Sequence, residues 1–443
     1  MKRNIGKISA SPLVKNSVKI SVSNIIMYML PLTVIPILTR LYTPEIFGEW
    51  GVFSSFVAIV NIGLFLGFEN VIIQAKEEEL SKIIKLCITI SASIIVIIAI
   101  IFYGGIKGEF HFFTNFPTPP ILIIYLSIYA IYTILYNLIN RYEQYYTLAF
   151  SNIFQGITQA AFRISLAFVS LIAINGLILG TTMALGFTTI FILFFLRKKL
   201  SNLCTKKSLT TTKQLISKYR NFPLYDAPAC MLSFAAFNLP IIILSIYFDR
   251  AVIGCFSIIL QLLLMPMSFV GSAMGKVFYQ RISADHRCIE KSTDEMMQIL
   301  SFISILPLLF IVCGGDKLII LFLGTQWESA GNVALCLSLW SFPTILTQPF
   351  LPIFRVKNKQ RTLLFFDIMY FTLGIGSILL LCSLIHNILL TLLVYSTCCF
   401  IVKLTLFFHI LDISNLSIKR LNKIYLIWVF SIVILIIRLI NII

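Results

Sequence analysis

The chain has 443 residues, of which 58% are hydrophobic and only 12% charged, with a formal net charge of +17. Soluble domains carry about twice that charged fraction. So much apolar surface excludes a water-soluble fold, and the basic balance needs an explanation inside a membrane before nucleic acid is considered.

In chain order, the apolar runs predict membrane spans at 18–39, 48–73, 83–104, 120–140, 147–170 and 175–196. The first is too long for a signal-peptide core and lacks a small-residue cleavage site, so it reads as an uncleaved span. Backbone groups in lipid must be satisfied internally, and these runs are too long for barrel strands, so the spans are helices. A polar stretch follows from Arg197 to Arg220. A second set is predicted at 224–247, 253–276, 296–315, 329–354, 362–384 and 387–409. The stretch Ile424–Ile440 is a candidate thirteenth span, expected to lie at the periphery with Arg438 toward the lipid interface. The expected organisation is an N-terminal six-helix bundle (1–196), a basic cytoplasmic linker (197–223), a C-terminal six-helix bundle (224–409) and a C-terminal linker with the extra span (410–443).

The cations carry topology. The N-terminal tail to Ser17 holds four Lys or Arg residues and the 197–220 stretch eight, whereas all the odd-numbered links together hold four. This asymmetry puts the N-terminus and the even-numbered links in the cytoplasm, and it accounts for the net charge without nucleic acid. The halves also resemble each other. An offset of 206 positions pairs Gly48 with Gly254, Val71 with Val277 and Gln74 with Gln280. Six spans return the chain to the same side, so such a repeat is parallel, with its axis along the membrane normal. The fold class is therefore all-α integral membrane, with twelve core transmembrane helices in two six-helix bundles related by pseudo-twofold symmetry.

The ten cysteines are scattered and the four histidines lack ligand spacing, so neither a disulfide framework, a metal site nor a cofactor is expected. No phosphate loop, HExxH or GxSxG motif occurs, and the links are too short to gather a catalytic centre. The polar residues inside spans carry more information. In span 5, Asn152, Gln155, Gly156, Gln159 and Arg163 fall on one helical face, with Leu148 and Phe150 expected outside it. A charge inside a span opposes insertion by roughly 2.5–3.5 kcal/mol, so Arg163 calls for a compensating partner or a use. Asn24 extends the polar set on span 1, and Lys403 is a further candidate cavity cation that could instead snorkel or pair with Asp367. Glu69, Asp226 and Asp367 are candidate coupling or ion-pairing acids; Asp226 sits in FPLYDAPA, where two prolines are expected to break the helix and free backbone groups.

Four segments carry a family resemblance. TRLYTPEIFGEWGVFSSF (Thr39–Phe56), NRYEQYYTLAFSNIFQG (Asn140–Gly156), YRNFPLYDAP (Tyr219–Pro228) and LFLGTQWESAG (Leu321–Gly331) occur in family order. Together with the span count they resemble the O-antigen-type polysaccharide-unit flippases of the multidrug/oligosaccharidyl-lipid/polysaccharide exporter superfamily. The resemblance implies alternating access between two six-helix bundles in a bacterial inner membrane. It implies outward movement of an undecaprenyl-pyrophosphate-linked oligosaccharide, with membrane lipids and the polysaccharide polymerase machinery as partners. A cavity containing Arg163, Gln159, Gln155, Asn152, Asn24 and Lys403 would then receive the anionic headgroup. A cation-coupled multidrug antiporter of the same superfamily is the alternative. That chemistry usually needs an acid in span 1, which has none.

Overall fold

The structure, a computed structural model, describes residues 33–114, 116–169, 175–205, 212–284, 288–416 and 424–440. Among these residues no strand occurs, and nine helical stretches are long and apolar enough to cross a membrane. The helices named below are α1 (Ile35–Leu41), α2 (Pro44–Gly63), α3 (Phe68–Gln74), α4 (Glu77–Lys107), α5 (Pro119–Arg141), α6 (Tyr145–Ala167), α7 (Gly176–Thr205) and α8 (Thr212–Lys218). They continue as α9 (Ala227–Tyr247), α10 (Arg250–Ala284), α11 (Ile289–Phe310), α12 (Asp316–Leu323), α13 (Glu328–Thr347), α14 (Gln360–Leu384), α15 (Ile388–Ile413) and α16 (Ile424–Ile440). From the second onward the predicted spans coincide with these helices, with two local departures; all but the end of the first lies outside the described residues. Span 2 divides at Gly67, whose φ of 81° ends α2's line and starts α3. The FPLYDAPA segment does not break: Phe222–Asp226 widens into a π turn that runs into α9.

The chain forms two compact units. One holds Val52–Asn238 and the described residues before Thr43; the other holds Thr43–Gly51 and Leu239–Ile443. In the first unit α6 packs along α7, α7 along α5, and α5 against α3 and α4. Its core is aliphatic, built on Leu64, Phe65, Ile83, Ile134, Leu138, Ile192 and Leu196. Polar contacts fix its ends. Lys218, at the end of α8, donates to both carboxylate oxygens of Glu79 at 2.6 and 2.9 Å, and the Tyr219 hydroxyl donates to the same group at 3.0 Å. Arg141 donates to the Ile72 carbonyl at 2.8 Å, satisfying one of the carbonyls α3 leaves unpaired at its end.

In the second unit α13 is the central helix. It is buried without interruption from Val333 to Thr347, whereas α14 buries only Tyr370, Gly374, Ile375, Ile378, Leu381 and Cys382. Its small residues, including Ala330, Gly331, Ala334 and Ser338, let α10, α11, α12 and α15 approach, Gly331 facing Ile320 and the Asp316 carbonyl of α12. The α16 helix packs on α11 and α13 with Trp428, Ser431, Leu435 and Leu439 inward and Phe430, Ile437 and Ile440 outward. It is peripheral as expected, but Arg438 does not face lipid. Its guanidinium turns inward to the carbonyls of Ile311 and Val312, both at 3.0 Å, and to Asp316 at 2.8 Å. The reason lies in α11's continuation: a π turn over Ile311–Gly315, with Gly314 at φ 106°, frees carbonyls that need a donor in a dry setting.

The 206-residue offset acquires a physical counterpart in this unit. The start of α2 meets the start of α10 backbone to backbone. A methyl group at Gly48 would stand 2.8 Å from the Arg250 carbonyl carbon, and one at Gly254 would stand 2.8 Å from the Pro44 carbonyl carbon. One at Gly51 would stand 2.8 Å from Ser257 Cβ. Pro44 and Arg250, Gly48 and Gly254, and Gly51 and Ser257 are each 206 positions apart. The contact is therefore reciprocal, the form that two equivalent segments give where they meet at a twofold axis.

Candidate functional site

The polar face of α6 lies against protein, as its spacing requires. Asn152 is 1% and Arg163 5% exposed, while Phe150 and Ile157 on the opposite face are half exposed. Leu148 departs from expectation: it is buried on the same side, because it stands one helical turn before Asn152. Gln155 and Gln159 are half-buried beside it. Asn24 lies outside the described residues.

Arg163 is held by α7 and α1. Its Nε and terminal nitrogen donate to the Thr181 hydroxyl at 3.3 and 2.9 Å. Thr181 in turn donates its own proton to the Leu177 carbonyl at 2.6 Å, so its lone pairs face the guanidinium. The Tyr42 hydroxyl donates to the Arg163 carbonyl at 2.7 Å. Gly180 permits this approach, since a Cβ there would stand 3.0 Å from the Arg163 backbone nitrogen and 3.1 Å from its side chain.

A second polar feature in the same unit is a cavity of about 210 Å³, lined by Asn61, Glu69, Asn70, Tyr129, Thr133 and Asp226 among others. Glu69 and Asp226, far apart in sequence, are brought together here. Glu69 comes from the first turn of α3, and Asp226 from the end of the π turn. Asn70 donates to Asp226 at 3.5 Å, and one Glu69 oxygen is buried with no hydrogen-bond partner among the described residues. Arg163, whose guanidinium donates to Thr181, is not among the residues that line this cavity.

The α6 polar stripe and this cavity are linked by residues that the polar-stripe pattern does not single out. On α5, YLSIYAIYTILY places Tyr125, Tyr129, Tyr132 and Tyr136 at spacings of four, three and four. Their rings form a row with successive centroids 6.1, 6.3 and 5.6 Å apart. Tyr129 lines the cavity, and Tyr132 donates to the Gln155 side-chain oxygen at 3.1 Å. The signal was available as a helical period of tyrosine, but tyrosine reads as apolar in a hydropathy scan.

Lys403 and Asp367 sit in the second unit. Lys403 is 6% exposed, and its ammonium lies 4.6 Å from the centroid of the Tyr370 ring. Among the described residues it makes no hydrogen bond and no ion pair within 4.0 Å; Asp367 attracts it from farther off without direct contact, and the ammonium does not snorkel. A cation–π contact takes the place of both. Tyr370 is fixed in turn by the Trp340 indole, which donates to its hydroxyl at 2.9 Å.

A family profile described as "Polysaccharide biosynthesis protein" matches residues 37–332. The chain belongs to that family. A search of curated protein sequences gives no match. As a member of the polysaccharide biosynthesis family, the chain has fold neighbours among solved transporters. A multidrug resistance MATE family transporter of the MOP superfamily, in an inward-facing conformation, superposes with a TM-score of 0.64 at 14% identity, over 88% of this chain and 94% of that one. The lipid II flippase MurJ, in an inward closed conformation, gives 0.63 at 14% identity, over 96% of both chains. A MOP superfamily transporter from Pyrococcus furiosus gives 0.53 at 13% identity, over 90% of this chain and 96% of that one. This member of the polysaccharide biosynthesis family thus shares the fold of these solved structures, that of a multi-pass helical membrane protein.

Proposed function

We propose that this chain is a flippase that moves an undecaprenyl-pyrophosphate-linked oligosaccharide from the cytoplasmic to the outer leaflet of a bacterial inner membrane by alternating access, with its N-terminus cytoplasmic. It would serve surface polysaccharide biosynthesis, O-antigen or capsule, alongside the polymerase machinery, and without a chemical step of its own. The observation that carries this reading is Arg163, a guanidinium enclosed within a membrane bundle and hydrogen-bonded to a hydroxyl. A pyrophosphate oxygen brought to this guanidinium adds a charged acceptor, and such charge-assisted bonds are roughly twice as strong as bonds between neutral groups. The planar fork also permits two parallel bonds to one phosphate, which a lysine cannot make. Asn152, Gln155 and Gln159 continue the polar face along α6, and Asn24 on span 1 and Lys403 in the second unit are the further candidate contacts. Glu69 and Asp226 are the candidate coupling pair, with Asp367 a separate acid.

The test is genetic. Arg163→Ala in the native host should remove most surface polysaccharide while the protein still inserts at normal level, with lipid-linked units accumulating inside. Arg163→Lys should retain part of the activity, since a point charge survives. Normal surface polysaccharide in Arg163→Ala would end the proposal. The acid-lined cavity at Glu69 and Asp226 favours a second reading, a cation-coupled drug exporter. Under that reading, deletion of the gene would sensitise cells to cationic dyes and leave surface polysaccharide intact.

A further inference from the structure

We infer that the tyrosine row on α5 is a stacking surface for the pyranose rings of a glycan, a role that rests on the flippase reading above. Four of the chain's seventeen tyrosines fall within twelve residues and on one face, although phenylalanine is more than twice as abundant overall. Packing alone would be served by phenylalanine, which carries no hydroxyl that burial must satisfy. The neighbouring aromatic cluster is indeed mostly phenylalanine: Phe53, Phe56, Phe102, Phe113 and Phe116 surround one another with ring centroids 4.8–6.5 Å apart. The α5 row, half-buried from Tyr129 onward as Phe56 and Phe113 also are, differs in having polar surroundings. Tyr129 shares its cavity with Asn70 and Thr133, Tyr132 is bonded to Gln155, and the Tyr125 hydroxyl accepts from Asn61 at 3.5 Å.

A pyranose has the complementary make-up. One face presents C–H groups, which rest on an aromatic ring; the rim presents hydroxyls, which need donors and acceptors. A row of phenol faces edged by amides and a threonine offers both. Tyr125 is buried against Phe53, so the reachable part of the row runs from Tyr129 to Tyr136, about 10 Å at about 1.5 Å per residue and enough for two sugar rings in succession. Stacking is also tolerant of ring position, so a sugar can step from one tyrosine to the next without a deep trap. A row of fixed hydrogen bonds would hold each step more tightly and slow release.

The test uses the full-length protein in lipid nanodiscs and two probes: undecaprenyl pyrophosphate alone, and the same lipid carrying a trisaccharide that contains N-acetylhexosamine. Wild type should bind the glycosylated probe more tightly. Tyr129→Ala and Tyr132→Ala should each lose roughly two- to tenfold of that difference while binding the bare lipid pyrophosphate unchanged. Tyr129→Phe should keep the stacking and most of the difference. Arg163→Ala should lose both probes, which separates the anion site from the glycan surface. Thermal unfolding of each variant identifies any that fail to fold, and Tyr129→Phe keeps the test open if both alanine variants do. If wild type does not distinguish the probes, or if both alanine variants still do, the inference is overturned. If wild type binds neither probe, the flippase reading fails first and takes this inference with it.

Discussion

Gly254→Ala tests the backbone contact between α2 and α10. The added methyl would stand 2.8 Å from the Pro44 carbonyl carbon, closer still to its oxygen, and 3.0 Å from the Gly48 nitrogen. Carbon–carbon contacts are comfortable at about 3.5–4.0 Å and the oxygen is nearer than the carbon, so the helices must part by more than about 1 Å at this point. The obstacle is main chain on a helical segment, which has no rotamer to change. Overpacking of this kind costs about 1–3 kcal/mol, and the Glu49–Arg250 ion pair and the Phe47–Trp327 edge contact at 5.0 Å would be loosened as well. For a unit of about 200 residues, 1 kcal/mol corresponds to roughly 2–4 °C, giving an expected fall of about 2–12 °C in the unfolding midpoint of the purified protein in detergent. The comparison is Gly104→Ala or Gly376→Ala, helical positions with nothing within 4 Å, where a methyl should be neutral or slightly stabilising. If Gly254→Ala unfolds with the same midpoint as Gly104→Ala, the close helix contact and the twofold argument built on it are wrong.

The same seam gives a rescue experiment. Gly51→Ala meets a side chain, Ser257, so Gly51→Ala should destabilise by about 1–2 kcal/mol and the double variant with Ser257→Gly should recover most of it; purely additive losses would count against the contact. Arg438→Met should cost about 1–3 kcal/mol by leaving Asp316 and two carbonyls without their donor, and adding Asp316→Asn should restore part of it; an unchanged midpoint would show that the clasp contributes nothing. Lys403→Met should leave stability unchanged or raise it, because a buried ammonium without hydrogen bonds is replaced by an apolar chain of similar length, while transport falls if the cation contacts substrate; a lower midpoint would reveal a partner that stabilises the charge.

Much of this fold is legible in the chain because lipid is a demanding solvent. Every backbone group must find its partner within the segment, so twenty apolar residues can only become a helix, and the predicted spans from the second onward return as helices with shifted ends. The face of α6 was equally legible, since a helical period fixes which residues share a side. The placing of Leu148 failed only because a residue's character was read in place of its angle. The 206-residue offset also had its basis in sequence, in a pair of glycines that only a close backbone approach requires.

Hydropathy could not give the partners across helices. Nothing in FENVIIQ or FPLYDAP says that Glu69 and Asp226 line one cavity, because their meeting depends on the packing of segments about 150 residues apart. The turn of Arg438 toward the Ile311–Gly315 kink depends on a helix irregularity that apolar composition does not encode, and the seat of Lys403 over Tyr370 depends on how α14 and α15 cross. The sequence by itself determined the spans, their order and the polar face of α6, since these follow from solvent and period along one chain. Only the tertiary structure decided which charges are paired, which are enclosed and which share a cavity, because in a medium without water those outcomes rest on where each side chain finds its neighbour.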